Sequence, residues 1–481
     1  MLTGYAEERK RVFHGEDHAS DCSAMKKTRI VIAGGGFAGL YAAKYIDQHL
    51  ARRLDIEVTL IARENFILFT PMLHEVAAGD LAPGDIVNSL RRILRRVNVI
   101  AAEVQDVDLR AKKIRCLHGV DGTELEFRYD HLLIALGSET NFFDNAGIRD
   151  WAVTMKNLSD AALLRNRMVA FLEEATLERD AAARRQWLTF VIAGGGFAGA
   201  ETAGAVNDFM HETAKFYPGF GDEEIRVVIV HPGDYLLPEL GEELGRYAER
   251  KMRERKVEVI KGALVTGYDG WVVTLNNGLA IPAATLIWTA GVKPNPVVAA
   301  LSCPKEKGRI LVDECLRVPG FNGLWVAGDC AAVPEFGTGK FYPPTAQHGM
   351  REAVTAAKNI ERKILGEPLQ PFRYRTIGML ASIGHHAGVA SMFGFRFSGF
   401  IAWWMWRSVY LAKVPRLVKK LRVMMGWTLD LLFGRDIEQM ITLRDVEELS
   451  ERWARIRAER PAPLTSPPTP AGTVLAEARG A

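Results

Sequence analysis

The chain has 481 residues, enough for roughly two to four domains. Hydrophobic residues make up 48% and charged residues 25%, an ordinary globular balance that excludes a wholly disordered chain. Lys and Arg (61) exceed Asp and Glu (58) by only 3, too little to make nucleic acid the main partner. Five cysteines, Cys22, Cys116, Cys303, Cys315 and Cys330, are scattered with no Cys-x-x-Cys. That excludes a disulfide scaffold and a structural zinc site, and the chain reads as intracellular and reduced.

Residues 1–25 carry Glu7, Glu8, Glu16, Asp17 and Asp21 and no apolar stretch resembling a signal peptide. They are expected to form a disordered extension, with Met25 as a second candidate start. Residues 30–39 then read IVIAGGGFAG: a β-branched run, a glycine turn and an Ala-rich helix. EVTLI (57–61) is the next strand, and HLLIA (131–135) a further one. Residues 190–199 repeat the unit as FVIAGGGFAG, offset by 160 positions (190 − 30), too far for a solenoid repeat. RVVIV (226–230), TLIWT (285–289) and GLWVA (323–327) read as strands. Strands alternating with helical patterns indicate parallel sheets.

Each glycine unit has the spacing Gly-x-Gly-x-x-Gly: Gly34, Gly36 and Gly39, then Gly194, Gly196 and Gly199. The first glycine permits a tight turn, the second admits a pyrophosphate, and the third lets helix and strand pack closely. Strand–turn–helix–strand context makes each a dinucleotide site. Two such sites suggest two redox cofactors face to face, most simply a nicotinamide beside a flavin, because a hydride passes directly between them.

With these motifs the chain resembles the two-dinucleotide-binding-domain flavoproteins, and among them the type II NADH dehydrogenases (NADH:quinone oxidoreductases). Three stretches carry the closer resemblance: FILFTPMLHEVAAGDLAP (66–83), PPTAQHGMREA (343–353) and FSGFIAWWMWRSVYLAKVPRL (397–417). Gly328-Asp329 resembles the superfamily's later FAD motif. IALGS (134–138), with Gly137, and WTAGV (288–292), with Gly291, resemble its crossover strands.

The resemblance implies an α/β fold of two Rossmann-like domains, the NAD(P)H domain inserted in a split FAD domain. The FAD domain would span 26–150 and 297–390, and the NAD(P)H domain 151–296. Residues 391–455 would form a C-terminal amphipathic helical membrane-association region, and 456–481 a disordered tail. It also implies noncovalent FAD, NADH or NADPH as co-substrate, and a membrane quinone as acceptor without proton pumping. Glu201 would lie near nicotinamide and flavin, and Gln347 beside the quinone. As a residue alone, Glu201 also reads as an exposed helix acid. A homodimer is compatible, and the expected location is the cytoplasmic face of the cell membrane, as a peripheral protein.

The departures are specific. Ala62 stands where the first ribose-binding acid is expected, so Glu64 is the substitute candidate. His231 stands at the second such position, which leaves NADPH open. Arg351 replaces the family's second Gln; it reads either as a donor to a quinone oxygen or as a surface arginine. No cysteine pair follows either fingerprint, which excludes the disulfide reductases. Cys303, Cys315 and Cys330 keep sulfide–quinone chemistry open; their plainer reading is small buried residues. Oxygen or a soluble protein as the acceptor also stays open, as does a non-enzymatic membrane redox sensor. His385 and His386 would face opposite sides of a strand, and no metal is expected.

Residues 391–435 hold eight Lys/Arg (Arg396, Arg407, Lys413, Arg416, Lys419, Lys420, Arg422, Arg435) against Asp430, a net +7. Trp403, Trp404, Trp406 and Trp427 suit a headgroup boundary, and Leu417, Leu421, Met424 and Leu431 recur at helical spacing. This predicts helices lying on an anionic lipid surface; a domain-packing or dimer hairpin is the competing reading.

Overall fold

The apolar run TRIVIA forms β1 (Thr28–Ala33), and the chain turns at Gly34 into α1 (Phe37–His49). The computed structural model describes residues 27–53, 55–119 and 122–440. The readings of residues 1–25, of Met25 as a start and of 456–481 lie outside them. β2 (Ile56–Ala62) pairs parallel with β1, and a short buried helix, α2 (Leu73–Ala77), follows. β3 (Asn98–Asp108), β4 (Lys113–His118) and β5 (Thr123–Arg128) form an antiparallel meander. β6 (His131–Ile134) then pairs parallel with β1.

The plan repeats with β7 (Val153–Thr154), α3 (Leu158–Leu177), β8 (Thr189–Ala193) and α4 (Phe197–Thr213). β9 (Arg226–His231), β10 (Val257–Lys261) and β11 (Thr285–Trp288) follow. β12 (Leu324–Val326) and the long helix α5 (Ala346–Leu365) come next. The C-terminal unit is β13 (Gly378–Ser382), β14 (Gly388–Met392), β15 (Phe395–Ser398), α6 (Gly399–Lys413) and α7 (Leu417–Phe433).

Two sheets organise these elements. The first has the order β12-β6-β1-β2-β3-β4-β5; the second is parallel throughout, β7-β11-β8-β9-β10. β12 returns to the first sheet after the second is complete, so the second unit is inserted within the first, as expected. Ser138–Thr140 and Val292–Pro294 pair antiparallel where the chain leaves and re-enters. The central strands of both sheets are buried on both faces, which is why they read as continuous apolar runs.

The C-terminal unit starts earlier than expected. Position 391 lies inside β14, and the three-stranded antiparallel sheet runs from Gly378 to Ser398. Its strands alternate weakly and so gave no compositional break. Three of the four tryptophans expected at a lipid boundary are instead buried. Trp406 and Trp427 join the core that holds α2, α3 and α4, Trp403 is buried beside His385 and His386, and only Trp404 is exposed. Burial of so much ring surface outweighs interfacial placement.

The positive charge is likewise partly internal. Arg407 lies over the rings of Trp403 (4.3 Å) and Trp427 (4.5 Å), with Glu75 Oε1 at 3.7 Å. Arg435 pairs with Asp80 at 2.6 Å, whereas Arg396 pairs with Glu243 at the surface. Leu417, Leu421, Met424 and Leu431 remain exposed on α7, together with Met425 and Leu432. His385 and His386 are also placed differently. They sit in the turn between β13 and β14 with rings stacked 4.8 Å apart, because the hairpin turns before a strand could separate them.

Candidate active site

Each glycine fingerprint folds as its spacing requires. Gly34 has φ +112°, and a Cβ there would stand 2.2 Å from the Ala135 oxygen. At Gly39 a Cβ would stand 1.8 Å from the Gly34 oxygen, so only glycine lets α1 pack this close to its turn. Gly36 differs: it caps α1, and a Cβ there would meet nothing within 4 Å. The space beside it is a cavity of about 650 Å³.

Gly34, Gly36, Glu64, Gly137, Gly328 and Asp329 all line this first cavity. Glu64 lies near Arg63 (3.6 Å) with its side chain 55% exposed, so its carboxylate is free to turn inward. Asp329 Oδ2 accepts the Ser138 hydroxyl at 2.7 Å, and Lys156 Nζ donates to that hydroxyl oxygen at 3.0 Å. Lys156 arrives from the turn before α3, where Asp160 Oδ2 accepts its backbone N–H at 2.7 Å. The Gly328 N–H donates to Glu352 Oε2 at 2.8 Å, which ties the Gly328-Asp329 turn to α5. Burial pushes the Glu352 carboxyl up to about 8.

Gly194, Gly196, Gly199, His231, Gly291 and Gln347 line a second cavity, of about 1230 Å³. Phe37, Pro344, Thr345 and Ala346 line both, so the two spaces meet where α5 begins. Thr345 caps α5 by accepting the His348 N–H. The helix therefore directs its unpaired N–H groups at the junction.

Two of the expected residues stand apart from the cavity walls. Glu201, on α4, is 8% exposed and lies behind the second cavity rather than on it. Its Oε1 accepts Trp406 Nε1–H at 2.9 Å and the Ser382 N–H at 3.3 Å. Its Oε2 faces His74 Nδ1 at 3.9 Å. Burial raises its carboxyl to about 8, against the pull of those two donors. The exposed-acid reading of Glu201 is therefore wrong. Arg351 lines neither cavity: it donates to the Gln347 carbonyl at 2.9 Å and lies 4.3 Å over the Tyr374 ring.

Lys413 is the cation on the second cavity's wall, its pKa lowered by burial and by Arg351. Sequence reasoning did not single out Lys156, Glu352, Trp406, His74 or Lys413 for the site. Glu352, His74, Trp406 and Lys413 lie within the three family-like stretches, the one signal that could have found them. None of the four described cysteines lines either of these cavities; Cys330 is buried, its thiol pushed up to about 12 by burial.

Two glycine-turn domains, one inserted in the other and opening on adjoining cavities, define a pyridine-nucleotide oxidoreductase. The sequence model described as pyridine nucleotide-disulphide oxidoreductase matches residues 28–358, and that described as NDH2 C-terminal domain matches 377–436. The chain is 33% identical over 451 residues to the type II NADH:quinone oxidoreductase NdhA of Mycobacterium tuberculosis, covering 89% of this chain and 93% of that one. Against Ndh of the same organism identity is 30% over 457 residues, covering 92% and 95%. The fold matches the solved structure of NDH2 from Plasmodium falciparum in complex with NADH, with TM-score 0.80, 22% identity and coverage of 86% of this chain and 100% of that one. The chain belongs to the type II NADH:quinone oxidoreductases.

Proposed function

We propose that the chain binds FAD noncovalently in the first cavity and NADH at the glycine-turn part of the second, and reduces a membrane quinone that enters at the part lined by Gln347 and Lys413, without pumping protons. The observation that carries this is the meeting of two glycine-capped cavities at Phe37 and the start of α5. The open space beside Gly36 and the acid Asp329 on the wall suit a pyrophosphate and a polyhydroxyl chain. A FAD held there by Gly36, Gly328 and Asp329 would supply a hydride acceptor for the nicotinamide and a two-electron donor for the quinone. Among the described residues no helix is long and apolar enough to cross a membrane. The cysteine positions give no support to sulfide chemistry.

The protein's own part is to hold geometry and a proton. Glu201 Oε1 is occupied by two N–H donors, so the proton of its neutral form sits on Oε2. Burial keeps that form present at neutral pH, next to a reaction that consumes protons at the quinone. Trp406 holds the carboxyl in place from the C-terminal unit. Gln347 lines the second cavity, and Arg351 fixes the backbone that carries it. Lys413 offers positive charge to a reduced, anionic acceptor.

Gln347→Ala is expected to slow reoxidation by quinone about tenfold while reduction by NADH stays unchanged, the scale for losing one polar contact. Arg351→Ala should act in the same direction and less. Stopped-flow absorbance separates the two half-reactions. A defect confined to the NADH step would put these residues on the wrong side.

The exposed apolar face of α7 supports peripheral attachment to an anionic lipid surface, on the face where soluble nicotinamide cofactor is supplied. Removing the region from Phe397 onward would also strip Trp406 and Trp427 from the core, so point changes test the surface better. Leu421 (51% exposed) and Leu432 (68%) tolerate charge without loss of packing. Leu421→Glu with Leu432→Glu is expected to abolish co-sedimentation with anionic liposomes while Tm is kept. Unchanged liposome binding, with loss of a dimer instead, would make α7 a subunit contact.

A further inference from the structure

His231 ends β9 where an acid usually reads the adenosine ribose. The structure commits its imidazole elsewhere. Nδ1 accepts the Gly195 N–H at 3.2 Å, and a Cβ on Gly233 would stand only 2.7 Å from Nε2. The ring is thus clasped between two glycine turns as a prop for the fingerprint. Burial holds it neutral, so it brings neither a carboxylate's pair of acceptors nor a charge.

A second residue props the same turn. The Leu237 N–H donates to the Gly195 carbonyl at 2.7 Å, so both polar backbone atoms of Gly195 are held. Leu237 takes φ +52°, in the left-handed region that L residues rarely adopt. This reverses the chain into the single turn Pro238–Leu240 at the cavity edge.

That turn carries Glu239. It lines the second cavity together with Gly196 and His231. Its Oε1 lies 3.6 Å from where a Cβ on Gly196 would stand, and its charge acts on His231. The side chain is exposed, and among the described residues no group hydrogen-bonds or ion-pairs with it. A carboxylate here has both oxygens free, on a loop anchored to the backbone that receives the dinucleotide.

We infer that Glu239, not His231, reads the adenosine ribose of the nicotinamide cofactor, accepting its hydroxyl donors and excluding a 2′-phosphate. A carboxylate satisfies two hydroxyls at once, while a phosphate in their place brings like charge against it. A cofactor diphosphate at Gly196 offers Glu239 no donor, so the ribose hydroxyls are its partners. The site therefore prefers NADH over NADPH even though its strand ends in histidine. This rests on the second cavity's being the nicotinamide site.

Binding of NADH and NADPH to the full chain, read by quenching of protein fluorescence, tests it without turnover; Trp288 lines the same cavity. The unaltered protein should favour NADH. Glu239→Gln should narrow that preference about tenfold, the scale for losing hydrogen bonds to a charged acceptor. Glu239→Arg should reverse it. His231→Glu should weaken both nucleotides alike, because it removes the ring packed between Gly195 and Gly233. An unchanged NADH-to-NADPH ratio in both Glu239 variants would overturn the inference, as would a ratio that moves only in His231→Glu. Binding of neither nucleotide by the unaltered protein would instead overturn the assignment of the cavity.

Discussion

Gly36→Val is expected to fold and to purify colourless. Gly36 has φ −73°, a conformation open to any residue, and a Cβ there meets nothing within 4 Å. The fold therefore has no reason to fail. The added isopropyl group instead fills the space in which a pyrophosphate would approach the start of α1. Gly34 and Gly39 offer no such test, since side chains there collide with backbone. Gly196→Val should give a yellow protein that NADH cannot reduce, because the second cavity is blocked and the first untouched. Visible flavin absorbance after purification, with circular dichroism to confirm folding, reads both results. Flavin lost from the Gly196 variant and kept in the Gly36 variant would exchange the two assignments.

Glu201→Gln should separate the proton role from the packing role. The amide oxygen can still accept from Trp406 and Ser382, so the buried geometry survives. The dissociable proton does not. Quinone reduction should fall about a hundredfold, the low end for losing a positioned acid, while reduction by NADH changes little.

The same variant carries a stability signature. Burial raises the folded-state carboxyl to about 8 from the usual carboxylate range. The folded protein then binds a proton that the unfolded chain has released, so this group's contribution falls as pH rises from about 4.5 to about 8. At about pH 5 the glutamic acid in the folded protein and the amide are both neutral. At about pH 9 only the unaltered protein holds a buried charge. Glu201→Gln should therefore gain on the unaltered protein by on the order of 2 °C in Tm between about pH 5 and about pH 9. A Tm difference independent of pH would show that Glu201 titrates as an ordinary carboxylate. Equal loss in both half-reactions would show that it only packs.

Much of this was legible in the sequence because it is local. A β-branched run, three spaced glycines and an Ala-rich stretch specify strand, turn and helix within about fifteen residues, and the repeat announces two of them. The expected strands at 57–61 and 226–230 lie within β2 and β9, and those at 131–135 and 285–289 match β6 and β11 to within one residue, for the same reason. The exposed leucines of α7 followed from helical spacing alone.

What the sequence could not decide is where long-range packing places an amphipathic side chain. Trp406 and Trp427 suit a lipid boundary by composition, yet each is buried with its N–H on a carboxylate, of Glu201 and Glu75, more than two hundred residues away. Arg407 counts as surface charge until the fold encloses it between two tryptophans and an acid. Glu201 reads as a residue near the cofactors or as an exposed helix acid until α6 closes over it. His231 and Glu239 are eight positions apart, and only the turn at Leu237 shows that one props the glycine loop while the other faces the cavity. Hydrophobic periodicity and turn chemistry act through neighbours in the chain and are written there. Burial, ion pairing and the pKa of an enclosed carboxyl depend on which distant surfaces meet, and only the tertiary structure brings them together.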